Sequence, residues 1–262
     1  MPVLNINNES FYYEVHGEGA PVVFAHGLGG NHASWYKQLA VFSKAYKVIT
    51  FDHRGFGRST DVQGIGRAGF VADLHALLNH LKIDQAVLIG QSMGGGTVIN
   101  FADQHPDRVA GLVVADSLHG LVESDAVAQI MDRARAETDQ LSQLDRVLGN
   151  SFRQQHPEDA VLYQQINSFN QTDRSNLTGK YADKAVMPEV LSELGAPIMF
   201  IAGQDDVLFP IEAIRKVQAQ VNASFLVEID NCGHSAFFEK PTEFNDSVLS
   251  FLQIAGFEPR QT

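Results

Sequence analysis

Ser92 stands between Gly90 and Gly94 in "LIGQSMGGGTV", directly after an apolar run and directly before a helix-like one. A strand that turns this sharply into a helix has no room for side chains at the two flanking positions. Glycine at both lets the backbone fold back and forces the serine out at the strand's C-terminal end. The chemistry open to such a serine is nucleophilic attack. Its hydroxyl is a poor nucleophile without a base, so the small-x-Ser-x-small pattern means little until partners are found.

Ten histidines are available. His234, in "DNCGHSAFFEKP", follows the last candidate strand and so sits at the same edge of a sheet as Ser92. His26, His53 and His119 also lie near strand ends, and spacing alone does not exclude them. His32, His75, His80, His105 and His156 fall in helical or loop text and read as surface residues. No H-E-x-x-H or paired-histidine spacing suggests zinc. An acid is needed to orient the base: "GQDDVLFP" offers Asp205 and Asp206, and "VVADS" offers Asp116. The order serine, aspartate, histidine suits a triad built along one sheet edge. Acyl chemistry further needs donors for an oxyanion. The backbone N–H of Met93, at a helix start, is one; the second is expected from Leu28, with Gly29 as alternative, in the loop "HGLGG".

The elements that would position these groups are short. Strands are expected at Phe11–Val15, Pro21–Ala25, Tyr46–Phe51, Gln85–Gly90, Val109–Ala115, Pro197–Ala202 and Ser224–Ile229. Several are apolar throughout, as in strands buried on both faces of a parallel sheet; the first reads as an antiparallel edge strand. Amphipathic helices are expected at Arg67–Leu81, Met93–Gln104, Ile211–Val221 and Thr242–Ile254. Alternation of this kind implies a three-layer α/β domain. From 117 to 189 the rhythm breaks into polar helical text, which reads as a helical cap inserted into a core formed by 1–116 and 190–262.

Composition narrows the partners. The chain has 262 residues, enough to bury roughly three quarters of its unfolded surface. A net charge of -12 argues against nucleic acid and anionic membrane, which attract clustered Lys and Arg. One cysteine, Cys232, forms no internal disulfide. The N-terminus lacks the basic start and apolar core of a signal peptide, and no apolar run is long enough to span a bilayer, so a cytoplasmic location is expected.

"HGLGG" at 26–30, "DHRGFGRS" at 52–59, "GQSMGG" at 90–95, "GQDDVLFP" at 203–210 and "GH" at 233–234 occur in the order that resembles the α/β-hydrolase superfamily, over nearly the full chain. The resemblance implies a mostly parallel central sheet of about eight strands with a helical cap. It also selects Asp206 as triad acid, three residues after a glycine and four before a proline, with Asp116 as runner-up. The Asp52–Ser59 loop looks structural within that family. Relatives that open epoxides or cleave carbon–halogen bonds carry an aspartate nucleophile, where this chain has serine. The expected reaction is cleavage of a small-molecule carboxylic ester or lactone by Ser92, His234 and Asp206, without metal or organic cofactor. Carbon–carbon cleavage of a vinylogous keto acid is the alternative; a non-catalytic binding protein would sooner have lost a triad member. Trp35, Leu118, Val207, Phe209 and Phe237, with Leu28 and Met93, are the expected pocket walls. Oligomeric state is left open.

Overall fold

The computed structural model describes residues 3–6, 8–170 and 178–259. Eight strands form one sheet: β1 (Val3–Ile6), β2 (Glu9–His16), β3 (Pro21–Ala25), β4 (Lys47–Phe51), β5 (Ala86–Gln91), β6 (Val109–Ala115), β7 (Ile198–Gly203) and β8 (Phe225–Ile229). Their order is β1-β2-β4-β3-β5-β6-β7-β8. From β4 onward every pairing is parallel, and the two pairings of β2 are antiparallel.

Each residue of β5 and β7 is buried. The period of two explains this, because successive side chains enter opposite layers. Leu88 joins one apolar cluster, whereas Val87 and Ile89 join the other. Beside the first cluster lie α2 (Phe70–His80), α3 (Met93–Gln104) and α8 (Ile211–Gln218). The second is closed by α1 (Tyr36–Phe42), α9 (Ala236–Glu239) and α10 (Pro241–Ile254).

The chain leaves β3 toward β4 on one side, while β5 lies on the other. The strand order therefore reverses at β3, and a crevice opens above the C-terminal ends of β3 and β5. The loops carrying Leu28 and Ser92 border that point.

Two details depart from the sequence reading. The expected edge strand is β2, which is interior because β1 pairs along it; "VLNI" is too short and mixed to announce a strand. The helix expected to begin at Arg67 opens as a 3₁₀ turn over Gly66–Gly69, and α2 starts at Phe70.

Between β6 and β7 lie α4 (Asp125–Thr138), α5 (Gln143–Val147), α6 (Asn150–Gln155) and α7 (Pro157–Ser168). A parallel bridge joins Leu121 to Val186, with Val122 N–H donating to the Val186 carbonyl at 2.9 Å. Both ends of the segment are thus fastened together near the sheet. Residues 171–177 of the expected cap lie outside the described residues.

The Asp52–Ser59 loop is held by its own side chains. Asp52 accepts from the His32 N–H at 2.7 Å and the Arg58 N–H at 2.9 Å, and Arg54 makes a two-pronged ion pair with Asp73.

Candidate active site

Ser92 occupies the single residue between β5 and α3, at φ 49° and ψ -116°. A non-glycine residue there is strained by about 1–3 kcal/mol, a cost retained only where the surroundings enforce it. The surroundings are backbone. A Cβ at Gly90 would overlap the Gly94 carbonyl, and one at Gly94 would overlap the carbonyl of Ala25. Ser92 N–H donates to the Ala115 carbonyl at 2.9 Å, and the Ser117 hydroxyl donates to the Ser92 carbonyl at 2.7 Å. The Ser92 hydroxyl makes no cap hydrogen bond to its own helix. Gly94→Ala is expected to destabilise the fold by about 3 kcal/mol, because the obstructing atoms belong to a buried strand end and cannot swing aside. Urea unfolding measures it, and a loss below 1 kcal/mol would refute the packing argument.

Of the three candidate acids, Asp206 alone meets His234: its Oδ2 is 2.9 Å from Nδ1. Its Oδ1 accepts the N–H groups of Leu208 at 2.8 Å and Phe209 at 3.1 Å. Asp205 is exposed and faces an outer groove. Asp116 is buried; its Oδ1 accepts Gly203 N–H at 2.9 Å and its Oδ2 accepts Ala236 N–H at 3.1 Å. Burial, then the charge of Asp206, pushes the Asp116 carboxyl well up. For His234, burial disfavours the imidazolium, but the Asp206 charge and hydrogen bond outweigh it, with smaller help from Asp116 and Glu239. The net shift is upward.

The rival histidines are otherwise engaged. His26 Nε2 accepts the His53 N–H at 3.0 Å, so its Nδ1 carries the proton shared with the Gly27 carbonyl at 2.8 Å. Burial pulls His26 down to about 4. His53 Nε2 contacts the Thr97 hydroxyl at 2.9 Å, and burial lowers it too. His119 faces the cavity but is pulled down to about 4 by burial and the nearby His234.

A cavity of about 290 Å³ joins these groups. Leu28, Ser92, Leu118, Phe209 and His234 line it from the sheet side, and Met131, Arg135, Gln143, Arg146 and Val147 line it from α4 and α5. Leu28 therefore borders the cavity; the Met93 side chain packs beneath it with Phe56 and Phe70. As the first residue of α3, Met93 has an N–H with no carbonyl one turn back.

Trp35 and Phe237 are not in that wall. They pack against each other in the core, ring centroids 4.5 Å apart and ring planes tilted by 43°. Val207 is also elsewhere, 40% exposed beside Asp205. Arg146 lines the cavity, whereas Arg153 pairs with Asp145 and faces an outer groove. Two groups went unremarked in the sequence. Gln91, the variable residue of the serine turn, donates from Nε2 to the His234 carbonyl at 2.9 Å. Glu239, two residues before Pro241, accepts from both neighbours of His234. Among the described residues no group of three or more His, Cys, Asp or Glu side chains is placed to hold a metal ion, and no helix is long and apolar enough to cross a membrane.

The strained strand-to-helix turn at Ser92 and the Asp206–His234 pair thus lie at one edge of an eight-stranded, mostly parallel sheet. Residues 20–241 match the family model described as alpha/beta hydrolase fold, and the chain belongs to that family of hydrolases. A protein of Mycobacterium tuberculosis named as a candidate non-heme bromoperoxidase, BpoC, is 30% identical over 92% of this chain and 96% of its own. A 2-hydroxy-6-oxo-6-(2'-aminophenyl)hexa-2,4-dienoic acid hydrolase of Metapseudomonas resinovorans is 27% identical, over 93% of this chain and 87% of its own. Among solved structures, Est816, described as an N-acyl homoserine lactone degrading enzyme, superposes with TM-score 0.80 at 26% identity, covering 95% of this chain and 100% of that one.

Proposed function

We propose that the protein hydrolyses a small carboxylic ester or lactone through an acyl-enzyme formed on Ser92. The observation that carries this reading is the Asp206–His234 hydrogen bond, made by a histidine that lines the same cavity as Ser92. With Nδ1 held by Asp206, the remaining nitrogen, Nε2, takes the Ser92 proton as the hydroxyl attacks the carbonyl. Charge developing on the carbonyl oxygen is met by the N–H groups of Leu28 and Met93, the second at the positive end of α3. His234 then protonates the leaving alcohol, which stays tethered when the substrate is a lactone. Water activated by the same imidazole releases the acid. The segment 117–189 serves as the cap, and α4 and α5 supply the outer wall against the acyl or alcohol group.

A panel of short- and medium-chain esters and lactones, combined with a phosphonate that labels Ser92, tests the reading. Turnover of the panel with stoichiometric labelling supports it. Labelling of Ser92 with no ester or lactone turned over would replace it by the second reading. That reading, carbon–carbon cleavage of a dienoate, is favoured by the dienoic acid hydrolase among the relatives and by Arg146 in the cavity wall.

The pH dependence has a definite sign. His234 must be neutral to accept a proton, and its pKa is raised. The rate constant kcat/KM is therefore expected to rise with pH through a value above the ordinary histidine pKa of about 6.5. A profile with no acidic limb between pH 5 and 8 would exclude a histidine base.

A further inference from the structure

Glu239 ends α9 with its carboxylate buried, and both oxygens are used. Oε2 accepts the Gly233 N–H at 3.0 Å and the Gly149 N–H at 3.1 Å; Oε1 accepts the Ser235 N–H at 3.3 Å. Gly233 and Ser235 are the two chain neighbours of His234. Gly149 belongs to a different part of the molecule, the residue that caps α6. The approach is tight enough to exclude side chains: a Cβ at Gly149 would stand 2.8 Å from Oε2 and 3.1 Å from the Gly233 nitrogen. Tying a local turn requires only the bonds from Gly233 and Ser235. The bond from Gly149 joins that turn to the helical segment that carries α6.

We propose that Glu239 is a positioning residue for His234, a buried carboxylate that clamps the histidine loop to the N-terminus of α6 and so keeps the imidazole aligned only while that helix is seated. This rests on the reading of His234 as the base. Ala236, two residues past His234, is held in the same manner by Asp116, so amides on both sides of the histidine are bound to buried carboxylates. Burial raises the Glu239 carboxyl, opposed by its three N–H donors. Its charge is also among those that lift His234.

Other titratable or charged groups surround this loop. Asp116 and Asp206 face it from the strand ends, and His119 from across the cavity. Cys232 belongs to the loop itself and Lys240 follows α9, while Tyr163 and the Asp145–Arg153 pair face the loop from the cap helices. The variants below leave all of them in place.

Glu239→Gln keeps the shape and removes the charge. We expect kcat for a hydrolysed ester to fall about tenfold with KM little changed, and the acidic limb of kcat/KM to move about half a unit to lower pH. Gly149→Ala pushes α6 away from the loop without altering any charge, and is expected to lower kcat by several fold with the limb in place. Wild-type kcat in either variant overturns the clamp, as does a loss of kcat in Glu239→Gln with the limb unmoved. A wild-type profile that is itself flat removes the base reading and the clamp together. A normal wild-type limb that Glu239→Gln leaves unchanged removes the clamp alone.

Discussion

Replacing Ser92 with alanine is expected to lower kcat for ester hydrolysis by about four to six orders of magnitude while the protein stays folded. The structure makes this substitution unusually clean. The hydroxyl caps no helix, so its loss leaves no backbone donor unpaired. The contacts that fix the turn are made by the Ser92 N–H and carbonyl, which alanine keeps. Alanine also retains a Cβ, so the strain at φ 49° is unchanged and neither folding nor the N–H directions should shift. Unfolding free energy should stay within about 1 kcal/mol of the parent. What disappears is the atom proposed to form the acyl-enzyme, and phosphonate labelling should disappear with it. The remaining rate would come from carbonyl polarisation by the amides alone. A variant that keeps a tenth of the activity would mean that Ser92 is only a small residue in a tight turn.

The serine turn was legible in the sequence because its cause is local: two glycines, one strand, one helix. Its surroundings were less so. Asp206 and Asp116 both follow strands closely, and the fold shows that one reaches Nδ1 of His234 while the other reaches two amides. Trp35 and Phe237 were expected among the pocket walls, although apolar residues near strand ends serve equally as ordinary core, since they must bury somewhere. In the fold they turn into the layer with Phe24 and Phe244, which no pattern in one chain specifies. Glu239 was hidden for another reason. Its role depends on the amide of Gly149 arriving from 90 residues away, and in the sequence it is one acid ahead of a proline. Gln91 was concealed within a motif whose variable position attracts no notice. Residues that act on the backbone of a distant loop leave no spacing to read.

Asp206→Asn is expected to cost about three to four orders of magnitude in kcat, and the direction of its hydrogen bonds says why. In the parent, Oδ1 takes two backbone N–H groups and Oδ2 takes the imidazole. An asparagine has one oxygen, and the two backbone donors of Leu208 and Phe209 claim it. Its NH₂ must then face Nδ1 of His234 and donate to it. The imidazole proton moves to Nε2, the nitrogen that should accept from Ser92, so the site is intact in shape and wrong in tautomer. Imidazolium formation also loses its carboxylate, which shifts any residual acidic limb to lower pH. Asp205→Asn, on an exposed side chain, should stay within about twofold of the parent. In Asp116→Asn one of two buried backbone donors, Gly203 or Ala236, would face an NH₂ group. That variant should lose stability together with activity, by about 1–3 kcal/mol. Imidazole nitrogen NMR separates the cases: only Asp206→Asn should place the proton on Nε2 in an otherwise native protein. If Asp116→Asn or Asp205→Asn instead gave the largest loss of kcat with native stability, the acid would have to be reassigned, and with it the geometry by which His234 is oriented.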